Sequence, residues 1–407
     1  MTTTVPAPAD TTGARPGPLG VAMIGYAFMG KAHSAAWRTV GSHFDVPDIA
    51  RRVVVGRDAG KAADAAARYG WEGSATDWRE VIHRDDVDIV DICTPGYLHA
   101  EIAIEALKAG KHVLVEKPLA NTIAEGTGMV AAAAAARARG VQSMVGFNYR
   151  RIPALAHART LIADGRLGAI RQLRVAYLQD WLSDPESPMT WRLRRETAGS
   201  GALGDIASHA LDQVQFLTGQ EVTEVSGRLR TFVGRRPGAD GPEPVTVDDA
   251  AWITAELSGG AVATVEVSRM ATGVKNGLRI EVFGERGALR FDLENLNELW
   301  FMEASGPVTE QGFRRILVSE PGHPYLEGWW PPGHIIGWEH TFTHQLRDFL
   351  TSIRTGEPPQ PSFEAGLQIQ RVLAAVEESA AARSAVVQVG SAAHTQPWTT
   401  PLAKETA

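Results

Sequence analysis

An apolar run ends abruptly in an acid, a base and a proline in the stretch Val113-Leu114-Val115-Glu116-Lys117-Pro118. Three apolar residues, two of them valine, are too few for a helix and indicate a buried parallel strand. Because proline has no amide hydrogen to donate to a neighbouring strand, the strand has to stop at Lys117. Lys117 is therefore predicted at the carboxyl end of a central strand, the edge of an open α/β sheet where ligands bind. A lysine that merely ends a surface strand is the alternative.

Strand and helix patterns alternate on both sides of this stretch. Strands are predicted at residues 20–24, 52–55, 87–93, 113–115 and 141–146, and helices at 31–40, 58–69, 100–109 and 131–139. Such alternation predicts a doubly wound parallel sheet with helices on both faces. We expect a dinucleotide-binding Rossmann domain over residues 19–147, a unit whose complete sheet has six strands.

A glycine turn follows the first predicted strand, in Gly25-Tyr26-Ala27-Phe28-Met29-Gly30, and a helix follows the turn. A G-x-G-x-x-G match has meaning in this context, although Ala27 replaces the second glycine. Gly25 allows the tight turn, and Gly30 lets the helix pack close to the strand. We expect a pyrophosphate to bind the amides at the helix start, around the Phe28-Met29 pair. A chance pair of glycines at a strand–helix turn is the alternative.

The residues after the second predicted strand bear on which dinucleotide is bound. Units specific for NAD carry an acid after the second strand, which binds the ribose 2′-hydroxyl and repels a 2′-phosphate. Here Gly56 takes that place and is followed by Arg57 and Asp58. Because Arg57 offers a guanidinium to a 2′-phosphate, we expect NADP to be accepted beside NAD, with a lean towards NADP. Asp58 turning back to the ribose is the alternative.

The crevice at the carboxyl edge of the sheet is predicted to contain further cofactor contacts. The turn after the strand at 87–93 and the start of the next helix both reach this edge. Glu116 and Lys117 lie at the same edge. The residues assigned to it from the turn and the helix are Thr94, Pro95 and His99. A satisfied surface histidine is the alternative for His99.

The pattern changes after residue 147. Helices are predicted at 153–163, 339–354 and 364–384, and half-buried strands at 170–181, 223–233, 250–257, 261–268, 278–284, 288–293 and 298–302. These strands predict an α+β domain over residues 148–390 with an open, mainly antiparallel sheet that buries one face. A loop at 234–247 is expected to form a surface hairpin. The aromatic stretch Tyr325–Trp338 has no periodicity, and a sugar-pocket cap, a subunit contact or burial under the last helices all remain open.

One helix of the second half carries a polar stripe. Asp205, His209 and Asp212 are spaced i, i+4 and i+7, which places them on one helical face. A solvated face is the alternative. The three glycines at positions 199, 201 and 204 allow another group to come close, and the neighbouring residues are small, so a site is favoured.

Composition excludes several classes of function. The 407 residues carry a net charge of −7 without a cluster of Lys and Arg, so no nucleic-acid partner is expected. No apolar run is long enough to cross a bilayer, so no membrane partner is expected. Cys93 is the only cysteine, and His, Cys and acids lack zinc-like spacing, so no metal is expected. We predict a cytoplasmic location, with loose tails over residues 1–18 and 391–407.

The glycine turn, Glu116-Lys117-Pro118 and the Asp-x-x-x-His of the polar helix together resemble the Gfo/Idh/MocA family of oxidoreductases, from Val21 to about Val389. The resemblance implies that Lys117, Asp205 and His209 form the catalytic set. The runs 147–151, 178–181 and 190–192 resemble its bacterial pyranose and cyclitol dehydrogenases. The substrate-binding residues assigned on this basis are Lys117, Tyr149, Arg150, Trp191, Arg192, Asp205, His209 and Asp212.

The expected activity is hydride transfer between a secondary alcohol of a sugar or cyclitol and NAD or NADP. A neutral imidazole can accept the alcohol proton near neutral pH, and an ammonium stabilises a developing alkoxide. Two alternatives stay open within the family: a glycoside-cleaving enzyme that uses NAD transiently, and a non-catalytic sensor. The resemblance and the open sheet also predict a homodimer or homotetramer.

Overall fold

The first half of the chain forms a six-stranded parallel sheet in the order β3-β2-β1-β4-β5-β6. The computed structural model describes residues 17–390, so residues 1–16 and 391–407 of the predicted tails lie outside the described part. The strands are β1 Leu19–Ile24, β2 Ile49–Val55, β3 Gly73–Ala75, β4 Ile89–Ile92, β5 His112–Glu116 and β6 Ser143–Gly146. This is the predicted doubly wound Rossmann sheet. The short edge strand β3 has no apolar run, which is why no pattern indicated it.

Helices cover both faces of this sheet. They are α1 Phe28–His43, α2 Ala59–Tyr69, α3 Trp78–Ile82, α4 His99–Lys108 and α5 Ile123–Arg137. Helix α5 begins eight residues before its predicted start, because Thr122 and Glu125 form a capping box there. Gly126 and Gly128 interrupt the helical pattern in its first turns and hide that start from the sequence.

The second half contains a nine-stranded sheet in the order β16-β15-β14-β13-β7-β12-β11-β8-β17. A two-stranded hairpin, β9 and β10, stands apart from it as the predicted surface excursion. All neighbours in the large sheet are antiparallel except β7 and β12, which run parallel. The strands are β7 Ile170–Leu178, β8 Val222–Arg230, β9 Arg235–Gly238, β10 Gly241–Pro244, β11 Ala250–Leu257, β12 Val262–Ser268, β13 Gly277–Gly284, β14 Gly287–Asp292, β15 Glu298–Glu303, β16 Arg314–Leu317 and β17 Val387–Gln388.

The remaining helices belong to the second half, and α9 and α10 also pack against the first half. They are α6 Pro153–Ala163, α7 Arg195–Ala198, α8 Ser208–Thr218, α9 His340–Thr355 and α10 Phe363–Ala381. Helices α8 and α10 pack against the large sheet, and α10 also packs against α5. Helix α9 returns to the first half, where Phe342, Leu346 and Phe349 are buried in one apolar cluster with Val21 and Trp37. Burying this face fixes the carboxyl edge of the Rossmann sheet against the second domain.

The aromatic stretch packs on α1 and α9, with Trp329 and Trp338 half-buried and Trp330 exposed. Trp338 stacks on Phe28 with ring centroids 5.5 Å apart, and Trp329 lies 4.2 Å from the His43 ring. The Trp329 indole also donates to His344 Nε2 of α9 at 2.6 Å. Within residues 17–390, no helix has both the length and the apolar character needed to cross a membrane.

Candidate active site

The two halves of the chain meet at the end of β5. Lys117 follows this strand directly, and its Nζ donates to the Asp205 main-chain carbonyl at 2.7 Å and to Asp205 Oδ1 at 3.1 Å. Lys117 is therefore not the isolated surface lysine of the alternative interpretation. Its ammonium bridges from the Rossmann sheet to the start of the polar helix, 88 residues further along the chain.

A π-helical turn over Leu203–Ala207 carries Asp205 into this position and continues into α8. Asp248 stabilises this turn, because its carboxylate accepts hydrogen bonds from the amides of Gly201 and Leu203, both at 2.8 Å. A Cβ at Gly201 would lie 1.8 Å from the Asp248 carbonyl oxygen, so only glycine fits. The close approach inferred from the glycines is therefore made here to the protein itself. π-helical turns are frequent at functional sites.

Positive charge surrounds the Asp205 carboxylate. Desolvation alone would raise the pKa of Asp205, but the charges of Lys117 and Arg269 outweigh it and lower this pKa to about 2. Arg269 Nη1 lies 3.8 Å from Asp205 Oδ2. Asp205 is consequently ionised near neutral pH, and it holds Lys117 without competing for a proton.

His209 lies one helical turn after Asp205 and faces the same site. Its ring packs on Tyr149 with centroids 4.6 Å apart, and the side chain is 7% exposed. The Nδ1 atom is buried and has no hydrogen-bond partner among the described residues. Desolvation and the nearby Lys117 charge both lower the pKa of His209 well below its ordinary value. The imidazole is therefore neutral at pH 7 and able to accept a proton.

A hydrogen-bonded network beside His209 was not predicted from the sequence. Tyr177 of β7 donates to Asn276 Oδ1 at 2.9 Å, so the 2.8 Å bond between the two phenols has Tyr149 as its donor. Gln179 Nε2 also donates to Asn276 Oδ1, at 2.8 Å, and the Trp181 indole donates to Gln179 Oε1 at 2.9 Å. Tyr177, Gln179 and Trp181 lie together at the end of β7, whereas Tyr149 and Asn276 come from distant segments, so no single motif contains the whole network.

Arg150 and Asp212 correct the sequence prediction, since they do not face a substrate. They form a buried ion pair, in which Arg150 Nε lies 2.9 and 3.0 Å from the two Asp212 oxygens. Their exposures are 4% and 0%. The pair joins the segment after β6 to α8, one turn beyond His209. Its place is structural, because a buried charge is stable only when it is paired.

Trp191 and Arg192 lie half-buried on the short turn Trp191–Leu193. The Arg192 guanidinium stacks over the Trp191 ring at 4.5 Å from its centroid. The charge of Arg192 also contributes to the lowered pKa of Asp205. Both residues therefore lie near Asp205, and their assignment to the substrate stays a prediction.

The glycine turn has the geometry that a dinucleotide needs. Gly25 has a positive φ of 107°, and a Cβ there would lie 2.6 Å from the Cys93 carbonyl oxygen. A Cβ at Gly30 would lie 2.1 Å from the Gly25 carbonyl oxygen, so the helix touches the turn. The first intrahelical bond runs from the Lys31 amide to Ala27, and the amides of Phe28–Gly30 precede it.

The loop after β4 contains one buried polar atom without a hydrogen-bond partner, and His99 beside this loop takes a different position from the predicted one. The Thr94 hydroxyl is buried without a hydrogen-bond partner among residues 17–390, as expected of a group that awaits a ligand. Pro95 lies next to it and begins the short turn Gly96–Leu98. His99, in contrast, is buried, and its nitrogens lie 3.0 Å from the carbonyls of Thr94 and Pro118. It joins the two loops and neither lines the crevice nor lies at the surface.

The region after β2 agrees with the predicted strand boundary. Strand β2 ends at Val55, and a Cβ on Gly56 would lie 1.8 Å from the Tyr26 ring, so a larger residue at this position requires the ring to move. Asp58 caps α2, accepting from the Lys61 amide at 3.0 Å. Arg57 is exposed beside it.

Comparison with known proteins agrees with the geometry. Residues 19–147 match the family model described as the oxidoreductase family with an NAD-binding Rossmann fold, and residues 155–290 match the GFO/IDH/MocA C-terminal domain. The chain is 41% identical over 383 residues to levoglucosan dehydrogenase from Pseudarthrobacter phenanthrenivorans, covering 90% of this chain and 97% of that protein. The chain belongs to the Gfo/Idh/MocA family. It is thus an oxidoreductase with an NAD-binding Rossmann domain, which confirms the resemblance seen in the sequence.

Solved structures of Gfo/Idh/MocA relatives share the whole described fold. An oxidoreductase domain protein from Kribbella flavida is 55% identical with a TM-score of 0.90, covering 92% of this chain and 100% of that one. A structure of levoglucosan dehydrogenase in complex with NADH and levoglucosan is 41% identical with a TM-score of 0.88, again over 92% and 100%.

Proposed function

We propose that the chain transfers a hydride between a secondary alcohol of a sugar or cyclitol and a nicotinamide dinucleotide, with Lys117, Asp205 and His209 at the reacting carbon. The observation that carries this proposal is the Lys117–Asp205 pair beside a neutral His209 at the carboxyl edge of the Rossmann sheet. An ammonium and an unprotonated imidazole are the two groups that alcohol oxidation requires.

Each residue has a separate task in the proposed reaction. His209 accepts the hydroxyl proton, while the Lys117 ammonium donates to the same oxygen and stabilises the charge that develops on it. Asp205 orients Lys117 through the bonds of 2.7 and 3.1 Å. When bound, the dinucleotide supplies the hydride acceptor. The amides of Phe28–Gly30 and the Thr94 hydroxyl would hold it, since they are the open donors of the glycine turn and the β4 loop.

The network beside His209 supports a polyhydroxylated substrate. Tyr149, Tyr177, Asn276 and Gln179 present hydroxyl and amide groups that can pair with several sugar hydroxyls. Trp181 and Trp191 add aromatic surface of the kind that packs on the apolar face of a sugar ring. A pyranose or an anhydro-sugar is the best match, since a relative of 41% identity has been solved with levoglucosan.

The choice of dinucleotide is part of the proposal. Gly56, with the Tyr26 ring packed on it, takes the usual position of the acid, and the Asp58 carboxylate accepts from the start of its own helix. Arg57 is then the charged group nearest the end of β2, so we expect NADP to be accepted as well as NAD. The relative solved with NADH shows that the overall fold serves NAD in that protein.

We also propose that the enzyme works as a homodimer or homotetramer through the open face of its large sheet. Trp252 and Trp300 stand on this face with exposures of 38% and 41%, among paired charges such as Arg279 and Asp292. Large exposed aromatics on one sheet face are typical of an interface. A cytoplasmic location remains a prediction, supported by Cys93, which is a buried free thiol.

The deciding experiment is a panel of cyclitols, hexoses, anhydro-sugars and glycosides assayed with NAD and NADP. Reduced dinucleotide formed in equal amount to oxidised product would support the proposal. Turnover of a glycoside without net reduction would instead identify the glycoside-cleaving alternative. Tight dinucleotide binding with no turnover of any member would favour the sensor.

A further inference from the structure

A chain of buried polar groups lies beneath the candidate active site and has no part in the proposed reaction. His33 of α1 lies between two acids: its Nδ1 is 2.9 and 3.0 Å from the Asp91 oxygens, and its Nε2 is 3.0 Å from Glu116 Oε1. The Trp37 indole donates to Asp91 Oδ2 at 2.7 Å, at the other end of this row of polar groups. His33, Asp91 and Glu116 are exposed by 1%, 0% and 4%.

The geometry favours a doubly protonated His33 in this chain of polar groups. A neutral imidazole carries one N–H, whereas both His33 nitrogens face carboxylate oxygens at hydrogen-bond distance. Burial opposes a charge on His33, but the Asp91 carboxylate outweighs this cost and holds the pKa of His33 well above its ordinary value. Around His33, the other neighbours are the Cys93 thiol, whose pKa burial raises to about 12, and the Phe342 ring. Neither contributes a competing positive charge.

This cluster also contains the one group of three close potential metal ligands within residues 17–390, which is His33, Asp91 and Cys93. Each donor atom of His33 and Asp91 already has a protein partner at hydrogen-bond distance. The arrangement is therefore that of an ion-pair chain, and we assign it no metal.

This chain of buried polar groups connects the glycine turn at the start of α1 with Lys117, the two parts of the site proposed to bind ligands. Helix α1 begins at the glycine turn, and Glu116 directly precedes Lys117, whose amide lies 3.3 Å from Glu116 Oε2. Gly146 of β6 leaves room for the Glu116 carboxyl group, because a Cβ at this position would lie 2.8 Å from Glu116 Oε1. The side chain of Glu116 thus points to His33, which corrects the expectation that it serves the cofactor.

We propose that His33 is a positioning residue, which as an imidazolium bridges Asp91 and Glu116 and so fixes the Glu116-Lys117 turn against the dinucleotide-binding helix. The proposal rests on the proposed function, since it gives this turn the task of placing the Lys117 ammonium. Breaking the bridge would release Lys117 from its place beside Asp205 while the glycine turn keeps its shape. Turnover would then fall more than dinucleotide affinity.

The test compares His33→Gln and Glu116→Ala with Ser34→Ala. Ser34 is the matched control, since it is buried on the same helix. Its hydroxyl accepts a 2.9 Å bond from the Trp71 indole and is not hydrogen-bonded to His33, Asp91 or Glu116. We expect kcat to fall at least about 10-fold in the first two variants, with the NADH dissociation constant changed by less than about 3-fold, and kcat to be kept in Ser34→Ala. Glu116→Gln, which preserves an acceptor for His33, should fall less than Glu116→Ala.

Two results would overturn the proposal. One is wild-type kcat in His33→Gln or Glu116→Ala; the other is a loss of kcat in all three variants that simply follows their loss of thermal stability. If His33→Gln does not fold, ¹⁵N NMR of the unmodified protein decides: His33 should keep both ring protons at pH 8, and a single ring proton would contradict the bridge. Lys117→Ala in the same assay separates the two proposals, because its full activity would refute the proposed function whatever His33 does.

Discussion

The Lys117 ammonium bonds to both the main chain and the side chain of Asp205, at 2.7 and 3.1 Å. An ammonium has three N–H donors, and Asp205 takes two of them. The third is the one that a substrate oxygen would receive, since no other described residue is bonded to Lys117 Nζ. Asp205, in the turn that leads into α8 of the second domain, thereby orients Lys117 at the end of β5 in the first domain.

Replacing Lys117 by alanine should remove this donor while leaving the fold and the dinucleotide affinity largely intact. We expect kcat/KM on the true substrate to fall by roughly 10²-fold or more, the scale of one lost electrostatic contributor. Steady-state kinetics with NADH titration measures both quantities. Lys108→Ala is the control, an exposed lysine that pairs with Glu105 on α4. Near-normal turnover in Lys117→Ala would remove Lys117 from the catalytic set.

His209→Asn should abolish the acid limb of the pH profile for alcohol oxidation. The base must be neutral to act, so the wild-type rate should fall as pH drops through the pKa of His209. Because burial and Lys117 lower that pKa well below 6.5, the limb should lie at more acidic pH than for an exposed histidine. If wild type and variant share one profile, His209 is structural.

Tyr177→Phe should weaken substrate binding more than it slows the reaction. The hydroxyl joins Tyr149 at 2.8 Å to Asn276 at 2.9 Å, and its loss leaves both partners short of one bond. We expect KM for the sugar to rise about 10-fold, as for one lost buried hydrogen bond, with a smaller change in kcat. Initial rates over a range of sugar concentrations give both constants. An unchanged KM would place the network outside the substrate pocket.

Arg57→Ala should weaken NADP more than NAD, because only NADP presents a 2′-phosphate to the guanidinium. A change in the NADP/NAD preference of about 5- to 10-fold is expected from one charge-assisted contact. Calorimetry or fluorescence titration with both dinucleotides measures it. Arg68→Ala, in the last turn of α2, is the control for the loss of a charge. Strict NAD preference in wild type and variant alike would contradict the assignment.

Trp252→Glu combined with Trp300→Glu should separate the subunits. Both rings stand on the open face of the large sheet, where two carboxylates per subunit would oppose the same face of a second copy. Light scattering at micromolar concentration should show an oligomer for the wild type and a monomer for the double variant. Exposed Trp330, in the aromatic stretch, provides the control substitution, which should leave the oligomer intact. A wild-type monomer would refute the interface.

Local sequence is sufficient where one segment contains the whole structural cause. The run at 113–118, the glycine turn and the alternation of apolar strands with helices each act within a few residues, and the Rossmann sheet forms as predicted. The spacing of Asp205 and His209 likewise places both on the same side of one helix. The predicted start of α5 was wrong because a capping box, not apolar periodicity, sets it.

Only the tertiary structure decided which polar residues face the site and which face each other. Arg150 with Asp212, and His33 with Asp91 and Glu116, are joined by contacts across 58 to 83 residues of chain. A sequence shows the charge of each residue but not its partner, and burial makes the partner decisive, because an unpaired charge in the interior is too costly to keep. The network of Tyr149, Tyr177 and Asn276 arises in the same way, where a strand, a loop and a turn converge. The sequence determined the fold and placed Asp205 and His209 on one side of a helix, and long-range packing determined which groups surround them.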